Sequence, residues 1–243
     1  MKYDGYFVDG NLEGECIYYD ISGNPLYSGC WKNNKRNGKG IKYEDNKIVY
    51  ECDFIDDKFH GNGKSYYKNT YIEYDGEWKN DKRDGKGKKY YETKKEQLKY
   101  VGNFNNDEFH DVNATSYYIN GNKEYEGEWK NGKKCGKGKH YFENKKEQLK
   151  YDGCFENNAY NGKGKSYYEN GNIEYDGDWK NDKKNGFGTY YIYINNYILR
   201  EKYGTFLNDA FYHGSLSEYD GRRKTIILKY EDGQPVRNNG CFN

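Results

Sequence analysis

Large apolar and small residues alternate with charged residues along short stretches of the chain. In residues 74–79 (YDGEWK), tyrosine, glycine and tryptophan take every second place and charged residues take the places between them. This period of two is typical of a β-strand with one solvent-exposed face. A polar segment and a second stretch, residues 85–91 (GKGKKYY), follow it, so the pattern predicts a β-hairpin.

The hairpin pattern recurs from one end of the chain to the other. Counted from its first tyrosine as position 0, it has Gly at position 2, Trp or Phe at 4, Asn or Asp at 6, and Gly at 11 and 13. Self-similarity at about two dozen residues indicates a tandem-repeat architecture. Nine repeats start near Tyr3, Tyr27, Tyr50, Tyr74, Tyr100, Tyr125, Tyr151, Tyr175 and Lys202.

A second period of two repeats is superimposed on the first. Position 4 alternates between phenylalanine and tryptophan along the whole array. Residues 93–100 (TKKEQLKY) are also nearly repeated at 144–151 (NKKEQLKY), two repeats later. Duplication of repeat pairs explains both observations.

The spacing of the glycines predicts how the strands of one hairpin pair. We expect Gly76 to lie opposite Gly87 and Trp78 opposite Gly85, which places a two-residue turn at residues 81–82. An indole that lies across a directly opposed residue needs a position without a side chain, and glycine supplies it. We therefore interpret Gly-x-Gly as a packing motif and not as a phosphate-binding loop, because no helix pattern follows it.

The predicted fold is all-β: an elongated, single-layer antiparallel β-meander of about nine tandem β-hairpin repeats, twisted and grooved. Type I′ turn signals such as Asn120-Gly121 and Asn170-Gly171 connect the repeats. Repeat 5 has Asp111 and Asn113 in place of its later glycines, so a bulge or kink is expected there. We assign residues 1–218 to the repeats and residues 219–243, where the pattern has faded, to a C-terminal capping segment.

Composition supports a thin array in preference to one thick core. The 243 residues are 34% hydrophobic, 33% charged and 19% aromatic, with 31 tyrosines. Disordered chains are poor in aromatic residues, so this chain is expected to fold. No stretch approaches the roughly 18 consecutive apolar residues of a membrane span, and no signal or lipidation motif is found. We therefore expect a cytoplasmic protein; a location at the periphery of a membrane or of a cytoskeletal structure is the alternative.

The sequence predicts no catalytic residue, no cofactor and no metal site. Ser65 and Ser166 occur in copies of one repeat environment, which argues against a unique nucleophile. Histidines near position 10 are interpreted as hydrogen-bonding turn residues and not as metal ligands; they are His60, His110 and His213, while His140 stands at position 15. The six cysteines lack metal-binding or disulfide-type spacing and are expected to be reduced.

Aromatic residues at positions 0 and 4 predict a ladder of rings along one face of the sheet. A single layer has no second layer to cover such a surface, so we predict an aromatic-lined groove that binds partner proteins. The predicted groove residues are Tyr27, Trp31, Tyr50, Phe54, Tyr74, Trp78, Tyr100, Phe104, Tyr125, Trp129, Tyr151, Phe155, Tyr175 and Trp179.

Basic residues cluster around the hairpin turns and predict a basic edge. The net charge is only +1. Such an edge could meet anionic phospholipids, or it could be a solvated rim that prevents edge-to-edge association; nucleic acid is not an expected partner, because acids balance the bases. The edge residues are Lys79, Lys82, Arg83, Lys130, Lys133, Lys134, Lys180, Lys183 and Lys184.

The frame of Tyr-x-Gly-x-Trp/Phe followed by Gly-x-Gly and an aromatic residue, as in residues 125–141, resembles the MORN (membrane occupation and recognition nexus) repeat. The resemblance covers nearly the whole chain. It implies a role as a scaffold or dimerising module, or as an accessory region of enzymes such as lipid kinases and methyltransferases, and members of the family have been linked to membranes.

The predicted function is that of a non-enzymatic scaffold that binds partner proteins along its groove. One alternative is an adaptor that binds anionic phospholipid membranes through the basic edge. The other is an inhibitor or immunity-type protein that occludes a single enzyme or toxin. Open sheet ends and an uncovered ring face also predict homo-oligomers.

Overall fold

The computed structural model describes residues 2–195, 197–221 and 223–236. The described residues form twenty-one strands and no helix. The strands are β1 (Lys2–Val8), β2 (Asn11–Tyr19), β3 (Pro25–Lys32), β4 (Lys35–Glu44), β5 (Lys47–Ile55), β6 (Lys58–Tyr66), β7 (Ile72–Lys79), β8 (Lys82–Tyr90), β9 (Leu98–Asn105), β10 (Glu108–Phe109), β11 (Asp111–Tyr117), β12 (Lys123–Lys130), β13 (Lys133–Tyr141), β14 (Leu149–Glu156), β15 (Ala159–Tyr167), β16 (Ile173–Lys180), β17 (Lys183–Ile194), β18 (Tyr197–Leu207), β19 (Ala210–Asp220), β20 (Arg223–Glu231) and β21 (Gln234–Val236).

The described residues divide into two compact units. The N-terminal unit lies within Met1–Gly121 and Lys130–Gly132, and the C-terminal unit lies within Asn122–Trp129 and Lys133–Asn243. In the N-terminal unit each strand from β1 to β9 pairs antiparallel with the next, and β9 also pairs with β10 and β11. In the C-terminal unit the same holds from β13 to β21. The predicted all-β, antiparallel meander of hairpins is therefore confirmed within each unit.

The segment predicted as a cap continues the strand pairing. Strand β19 extends past the predicted boundary at residue 218, β20 pairs with β19, and β21 pairs with β20. Residues 237–243 of the predicted cap lie outside the described part of the chain.

The hairpin turn of repeat 4 lies one residue earlier than predicted. Lys79 pairs with Lys82, so the turn residues are Asn80 and Asp81 and not residues 81–82. Both have left-handed backbones, with φ of 51° and 67°. This is the type I′ geometry that matches strand twist, and asparagine and aspartate adopt it more readily than other side-chain residues.

Only half of the predicted register of this hairpin is correct. Gly76 pairs with Gly87 as expected, but Trp78 pairs with Arg83 and not with Gly85. The returning strand has extra residues at this point, so that residues 84–86 lie opposite Glu77 alone. Gly85 has a left-handed φ of 104°, which this β-bulge requires and which residues with a Cβ rarely adopt.

The tryptophan pairs with a glycine of the preceding repeat. Trp78 pairs with Gly61 on β6, and its Nε1 donates a hydrogen bond of 3.1 Å to the Gly63 carbonyl. Gly85 in turn pairs with Phe104 of the next repeat. The indole therefore bonds to glycine backbone across the boundary between repeats. A Cβ at Gly61 would meet Asp53 and not the indole, so the prediction that the opposed glycine makes room for the ring is wrong.

The tyrosine at position 0 covers the glycine pair of its own hairpin. Tyr74 Oη donates a 2.9 Å hydrogen bond to the Glu77 carbonyl, and a Cβ at Gly87 would lie 2.3 Å from this oxygen. A Cβ at Gly76 would lie 2.5 Å from the same atom. Equivalent hydroxyl-to-carbonyl bonds are made by Tyr27, Tyr100, Tyr125, Tyr151 and Tyr175.

The rings then cover one another. Tyr74 contacts Trp78 of its own repeat edge to face, with ring centroids 5.3 Å apart, and contacts Phe104 of the next repeat at 4.9 Å. Tyr74 and Tyr100 are fully buried as a result. The expectation that a single layer leaves its rings uncovered is therefore wrong, because edge-to-face packing and backbone contact together enclose them.

Two cysteines replace glycines beneath the tyrosine and displace it. Cys52 occupies position 2 of repeat 3, where its Sγ would lie 2.1 Å from a Cβ at Gly63, and Tyr50 stacks on Phe59 at 4.4 Å instead of entering the core. Cys16 occupies position 13 of repeat 1, and Tyr3 stacks on Tyr18 at 4.7 Å. A cysteine side chain at either position therefore takes the space that the buried tyrosine occupies in other repeats.

The two-repeat period has a reason in packing. Trp78 pairs with Arg83, whose guanidinium lies 5.8 Å from the Tyr74 ring, whereas Phe54 pairs with Phe59. The same alternation pairs Trp31 with Arg36 and Trp179 with Lys184, and it pairs Phe155 with Tyr160. In these repeats tryptophan is thus matched with a long cation and phenylalanine with a second ring, whereas Phe7 of repeat 1 pairs with Leu12.

Each hairpin turn is bonded to the preceding repeat. The Asp81 N–H donates to the Phe59 carbonyl at 3.2 Å, and the Phe59 N–H donates to Asp81 Oδ1 at 2.9 Å. Asp182 makes the same pair of bonds with Tyr160, at 3.0 and 2.8 Å. Further copies of this two-bond clamp join Asn34 to Leu12, Asp57 to Arg36, Asp107 to Arg83, Asn158 to Lys134 and Asp209 to Lys184.

The irregularity expected in repeat 5 is confirmed. The returning strand is broken at His110 between β10 and β11, and a Cβ at Gly102 would lie 2.6 Å from the Ala114 Cβ. Ala114 therefore lies where other repeats have the glycine of position 13. One additional residue in the strand shifts its register, and Tyr100 remains buried.

The turns between repeats are located as predicted but have a different geometry. The Gly171 N–H donates to the Tyr168 carbonyl, and Gly171 has a φ of 90°. Asn170 is not among the residues with positive φ, so Asn170-Gly171 is not a type I′ turn. A turn closed by a left-handed glycine accommodates the longer loop.

We predict that Gly87→Ala destabilises the protein by about 1–3 kcal/mol, because the new methyl group overlaps the Tyr74 ring. The same substitution should cost clearly less in a Tyr74→Ala background, because the three atoms nearest to the added Cβ all belong to Tyr74. Urea unfolding of the four proteins measures this coupling. An equal cost in both backgrounds would contradict the packing described here.

We predict that Asp182→Gly costs about 1 kcal/mol of unfolding free energy, because the Tyr160 N–H loses its acceptor. Asp182→Asn is the matched control, since it removes the same charge, tolerates the same turn and keeps the Oδ1 acceptor. Chemical denaturation should show the asparagine variant close to wild type. Equal destabilisation by both substitutions would show that the charge, and not the clamp, is what matters.

Candidate binding surfaces

The predicted groove residues lie in the core. We call the side of the sheet that carries positions 0 and 4 the ring face. Of the fourteen predicted rings, only Tyr50 is not buried. Burial also raises the pKa of the Tyr74 hydroxyl well above its ordinary value. These rings contact the protein itself, so their role in binding a partner remains a prediction.

The nine predicted edge cations fall into two groups. Arg83, Lys134 and Lys184 are half-buried against rings and paired with carboxylates. Lys184, for example, lies 4.8 Å from the Tyr190 ring centroid and 3.1 Å from Glu174. The remaining six are exposed beside the turns: Lys79, Lys82, Lys130, Lys133, Lys180 and Lys183.

Aspartates of the turns lie among these exposed lysines. Asp81 lies between Lys79 and Lys82 in the chain, and Asp182 lies between Lys180 and Lys183. Asp107 Oδ1 is 3.0 Å from Arg83 Nε. The edge therefore carries both positive and negative charge. Its exposed lysines occur in pairs, one on each side of a turn, in repeats 4, 6 and 8.

The opposite side of the sheet, which carries positions 1, 3, 12 and 14, is here called the groove face. Its acids and lysines form alternating rows on adjacent strands. Asp75 pairs with Lys64 on one side and with Lys88 on the other. In the C-terminal unit, Lys165 Nζ lies 3.0 Å from Asp176 and Lys163 Nζ lies 2.8 Å from Asp178.

Clefts open on the groove face of the N-terminal unit where neighbouring hairpins meet. One, of about 370 Å³, is lined by Asp75, Lys86, Gly87, Lys88, Val101, Gly102, Asn103 and Asp111. A second, of about 480 Å³, is lined by Lys39, Gly40, Ile41, Glu51, Cys52, Asp53 and Asn62. Glycine backbone contributes to both clefts, and acids and lysines line them, so they can accept extended polar segments.

Some acids on the groove face have a structural role. Asp178 Oδ2 accepts a 2.9 Å hydrogen bond from the Phe187 N–H, and Glu128 Oε1 accepts one of 3.0 Å from the Lys137 N–H. Both carboxylates satisfy backbone donors in the β-bulge of their own repeat. The acid at position 3 therefore stabilises the bulge, whereas that at position 1 faces the lysine rows.

The prediction that the histidines near position 10 are turn residues is wrong. His60 lies within β6, His213 lies within β19, and His110 lies in the break between β10 and β11. His140 contacts Tyr160, with Nδ1 2.6 Å from the hydroxyl. Strand pairing, which extends further towards the turn than the sequence pattern indicated, accounts for the positions of His60 and His213.

Metal clusters, thiols and membrane-spanning helices can be assessed for residues 2–195, 197–221 and 223–236. No group of three or more His, Cys, Asp or Glu side chains in these ranges could hold a metal ion. Five cysteines within them are free thiols, and burial raises the pKa of Cys52 to about 12. None of these segments forms a helix long and apolar enough to cross a membrane.

Sequence reasoning identified the ring positions but missed the clefts. The sequence signal for the clefts is the alternation of acids and lysines at positions 1 and 14, such as Asp75 and Lys88. By itself this alternation indicates only a charged, solvent-exposed face. The depth of the clefts depends on glycine backbone and on strand curvature, which a period-two pattern does not report.

Comparison with protein families gives one result. The model of the MORN repeat matches residues 3–24, 27–46, 50–70, 74–94, 125–146, 151–173 and 175–196, which together make up more than half of the chain. The unmatched repeats are repeat 5, with its broken strand, and repeat 9. A comparison with curated proteins found no match.

We predict that His140 makes stability depend on pH. Burial, with the nearby Lys134 and Lys150 ammonium groups, lowers the pKa of His140 to about 4, against about 6.5 when unfolded. Between these values the unfolded chain binds more protons, so stability is lost as the pH falls from about 6.5 to 4. The contribution is on the order of 3 kcal/mol.

The measurement is urea unfolding of wild type and His140→Gln at several pH values. Carboxylates titrate equally in both proteins, so the stability difference between them isolates the histidine. The wild-type protein should lose stability more steeply over this range. Parallel pH profiles would contradict a buried, neutral His140.

Proposed function

The chain belongs to the MORN repeat family, and we propose that it is a non-enzymatic scaffold that holds partner proteins on its groove face. The MORN repeat is a non-enzymatic module that generally mediates interactions with proteins or membranes. The single observation that carries the proposal is the cleft bounded by Asp75, Lys88 and Val101. It offers polar groups of both signs, a half-buried apolar residue and accessible backbone.

The chemistry of the groove face favours protein segments. Cleft walls with alternating charge can bind extended peptides that carry both acids and bases, and the pairing of charges fixes the register of such a peptide. Repeat 5 also exposes an apolar side chain, because Val112 of β11 is 81% exposed. Apolar surface within a charged surround is typical of a protein-binding site.

A second candidate function, binding to an anionic membrane, is favoured by one observation at the turn edge. A cleft of about 420 Å³ is lined by Lys180, Asn181, Lys183, Asn185, Leu207 and Asn208. Two exposed ammonium groups and amides suit a phosphate headgroup, each base contributing up to about 1 kcal/mol, and the exposed Leu207 could enter the lipid interface.

We predict that reversing charge in the groove-face cleft removes the partner. Full-length wild type and a Lys86→Glu/Lys88→Glu variant are used to capture proteins from a lysate of the native cells, followed by quantitative mass spectrometry. Both lysines are exposed, so folding is preserved, and recovery of the partner should fall about tenfold or more.

The matched control is Lys180→Glu/Lys183→Glu at the turn edge, assayed in parallel for capture and for sedimentation with phosphatidylserine vesicles over a salt series. Two results together would favour the membrane adaptor over the scaffold. The cleft variant would capture partners as well as wild type does, and the edge variant would lose a salt-sensitive binding to vesicles. A single stoichiometric target would identify the inhibitor or immunity-type protein.

A further inference from the structure

The groove face changes its chemistry at the junction of repeats 8 and 9. Position 12 is polar or charged in most repeats, as in Lys137 and Lys163, but it is Phe187 in repeat 8. Position 1, which is Asp152 and Asp176 in repeats 7 and 8, is Tyr203 in repeat 9. The two departures from the repeat fall on adjacent strands of the C-terminal unit.

The two substituted rings contact each other and face solvent. Phe187 and Tyr203 lie edge to face with centroids 4.9 Å apart, and they are 46% and 49% exposed. Phe187 pairs with Thr205, and Thr189 pairs with Tyr203, so small hydroxyl side chains adjoin the rings. This pair is distinct from the buried rings of the ring face.

Elsewhere in the described residues, long cations lie over the rings of this protein. Arg36 lies 5.0 Å from the Phe54 centroid, and Lys202 lies 5.8 Å from that of Phe211. Among the cation–π contacts of residues 2–195, 197–221 and 223–236, none involves Phe187 or Tyr203. In this part of the chain, the faces of the exposed pair are therefore left open to a cation from another molecule.

A carboxylate lies beside the ring pair. Asp178 Oδ2 accepts the Phe187 N–H, and its Oδ1 is paired with Lys163, whose side chain is 72% exposed. An exposed ion pair of this kind contributes little stability, so an incoming cation can replace it. A guanidinium is suited to this site because its plane stacks on a ring while its N–H groups bind a carboxylate.

We propose that Phe187, Tyr203 and Asp178 form a binding site for an arginine side chain of a partner protein. The arginine lies over the exposed rings and takes over Asp178 from Lys163. This inference rests on the proposed function only in that the arginine belongs to a bound protein, because the clefts of the N-terminal unit contribute none of these residues.

The test is an NMR titration of the full chain, labelled at its aromatic side chains, with an end-capped Gly-Arg-Gly-Arg-Gly peptide. The Phe187 and Tyr203 ring signals should shift with the arginine peptide and not with its citrulline counterpart, which keeps the shape but lacks the charge. A Gly-Pro-Gly-Pro-Gly peptide serves as the probe for proline recognition.

Two variants of the ring pair restore residues that other repeats carry and leave the charge unchanged. Phe187→Asn introduces the residue found as Asn62 at position 12 of repeat 3, and Tyr203→Ser introduces that found as Ser28 at position 1 of repeat 2. Each should weaken arginine-peptide binding about fivefold or more. Lys163→Gln should strengthen binding, because it releases Asp178, and Tyr6→Ser, an exposed tyrosine of the N-terminal unit, should have no effect.

Ring signals that stay unchanged, or that respond equally to the citrulline peptide, would overturn the proposal, as would weaker binding by Lys163→Gln. A stronger response to the proline peptide would identify a different site and would overturn it as well. The outcome is separate from that of the Lys86→Glu/Lys88→Glu capture, because the peptide titration measures the C-terminal rings directly and needs no native partner.

Discussion

The rest of the structure depends on one contact, in which a tyrosine ring lies flat over a pair of opposed glycines in its own hairpin. Because neither glycine has a Cβ, the ring can reach backbone on both strands and its hydroxyl can donate to a main-chain carbonyl. Tyr74 over Gly76 and Gly87 shows the arrangement. It gives a single layer of sheet a core of its own, since the ring buries backbone that a second layer would otherwise have to cover.

The neighbouring repeats are joined by two further interactions of different kinds. The ring at position 4 contacts glycine backbone of the preceding repeat, as Trp78 does at the Gly63 carbonyl, and contributes apolar contact. The turn clamp, as between Asp81 and Phe59, contributes directional hydrogen bonds in the turn that follows this ring. One contact excludes water and the other fixes register, so each repeat is aligned by its predecessor and stability accumulates from one repeat to the next.

The two faces of the sheet therefore have different roles. The residues that recur most regularly in the sequence pack in the core, so little of their surface is accessible to a partner. On the groove face the acid at position 3 accepts backbone hydrogen bonds, as Asp178 does from Phe187, whereas positions 1 and 12 vary among the repeats. Differences among repeats at positions 1 and 12, such as Tyr203 and Phe187, therefore mark places where the surface can become specific for a partner.

The sequence by itself determined the repeat, the strands, the antiparallel pairing and the pairing of Gly76 with Gly87, because these follow from local periodicity and from the absence of side chains at fixed positions. It also located the irregular strand of repeat 5. Tertiary structure alone decided that Trp78 pairs with Gly61 and not with Gly85, because a β-bulge of left-handed glycine changes the register without changing the pattern of residues. The tertiary structure likewise decided that the rings are enclosed and that Arg83, Lys134 and Lys184 pack against them. Burial depends on how neighbouring repeats approach one another and not on any single repeat.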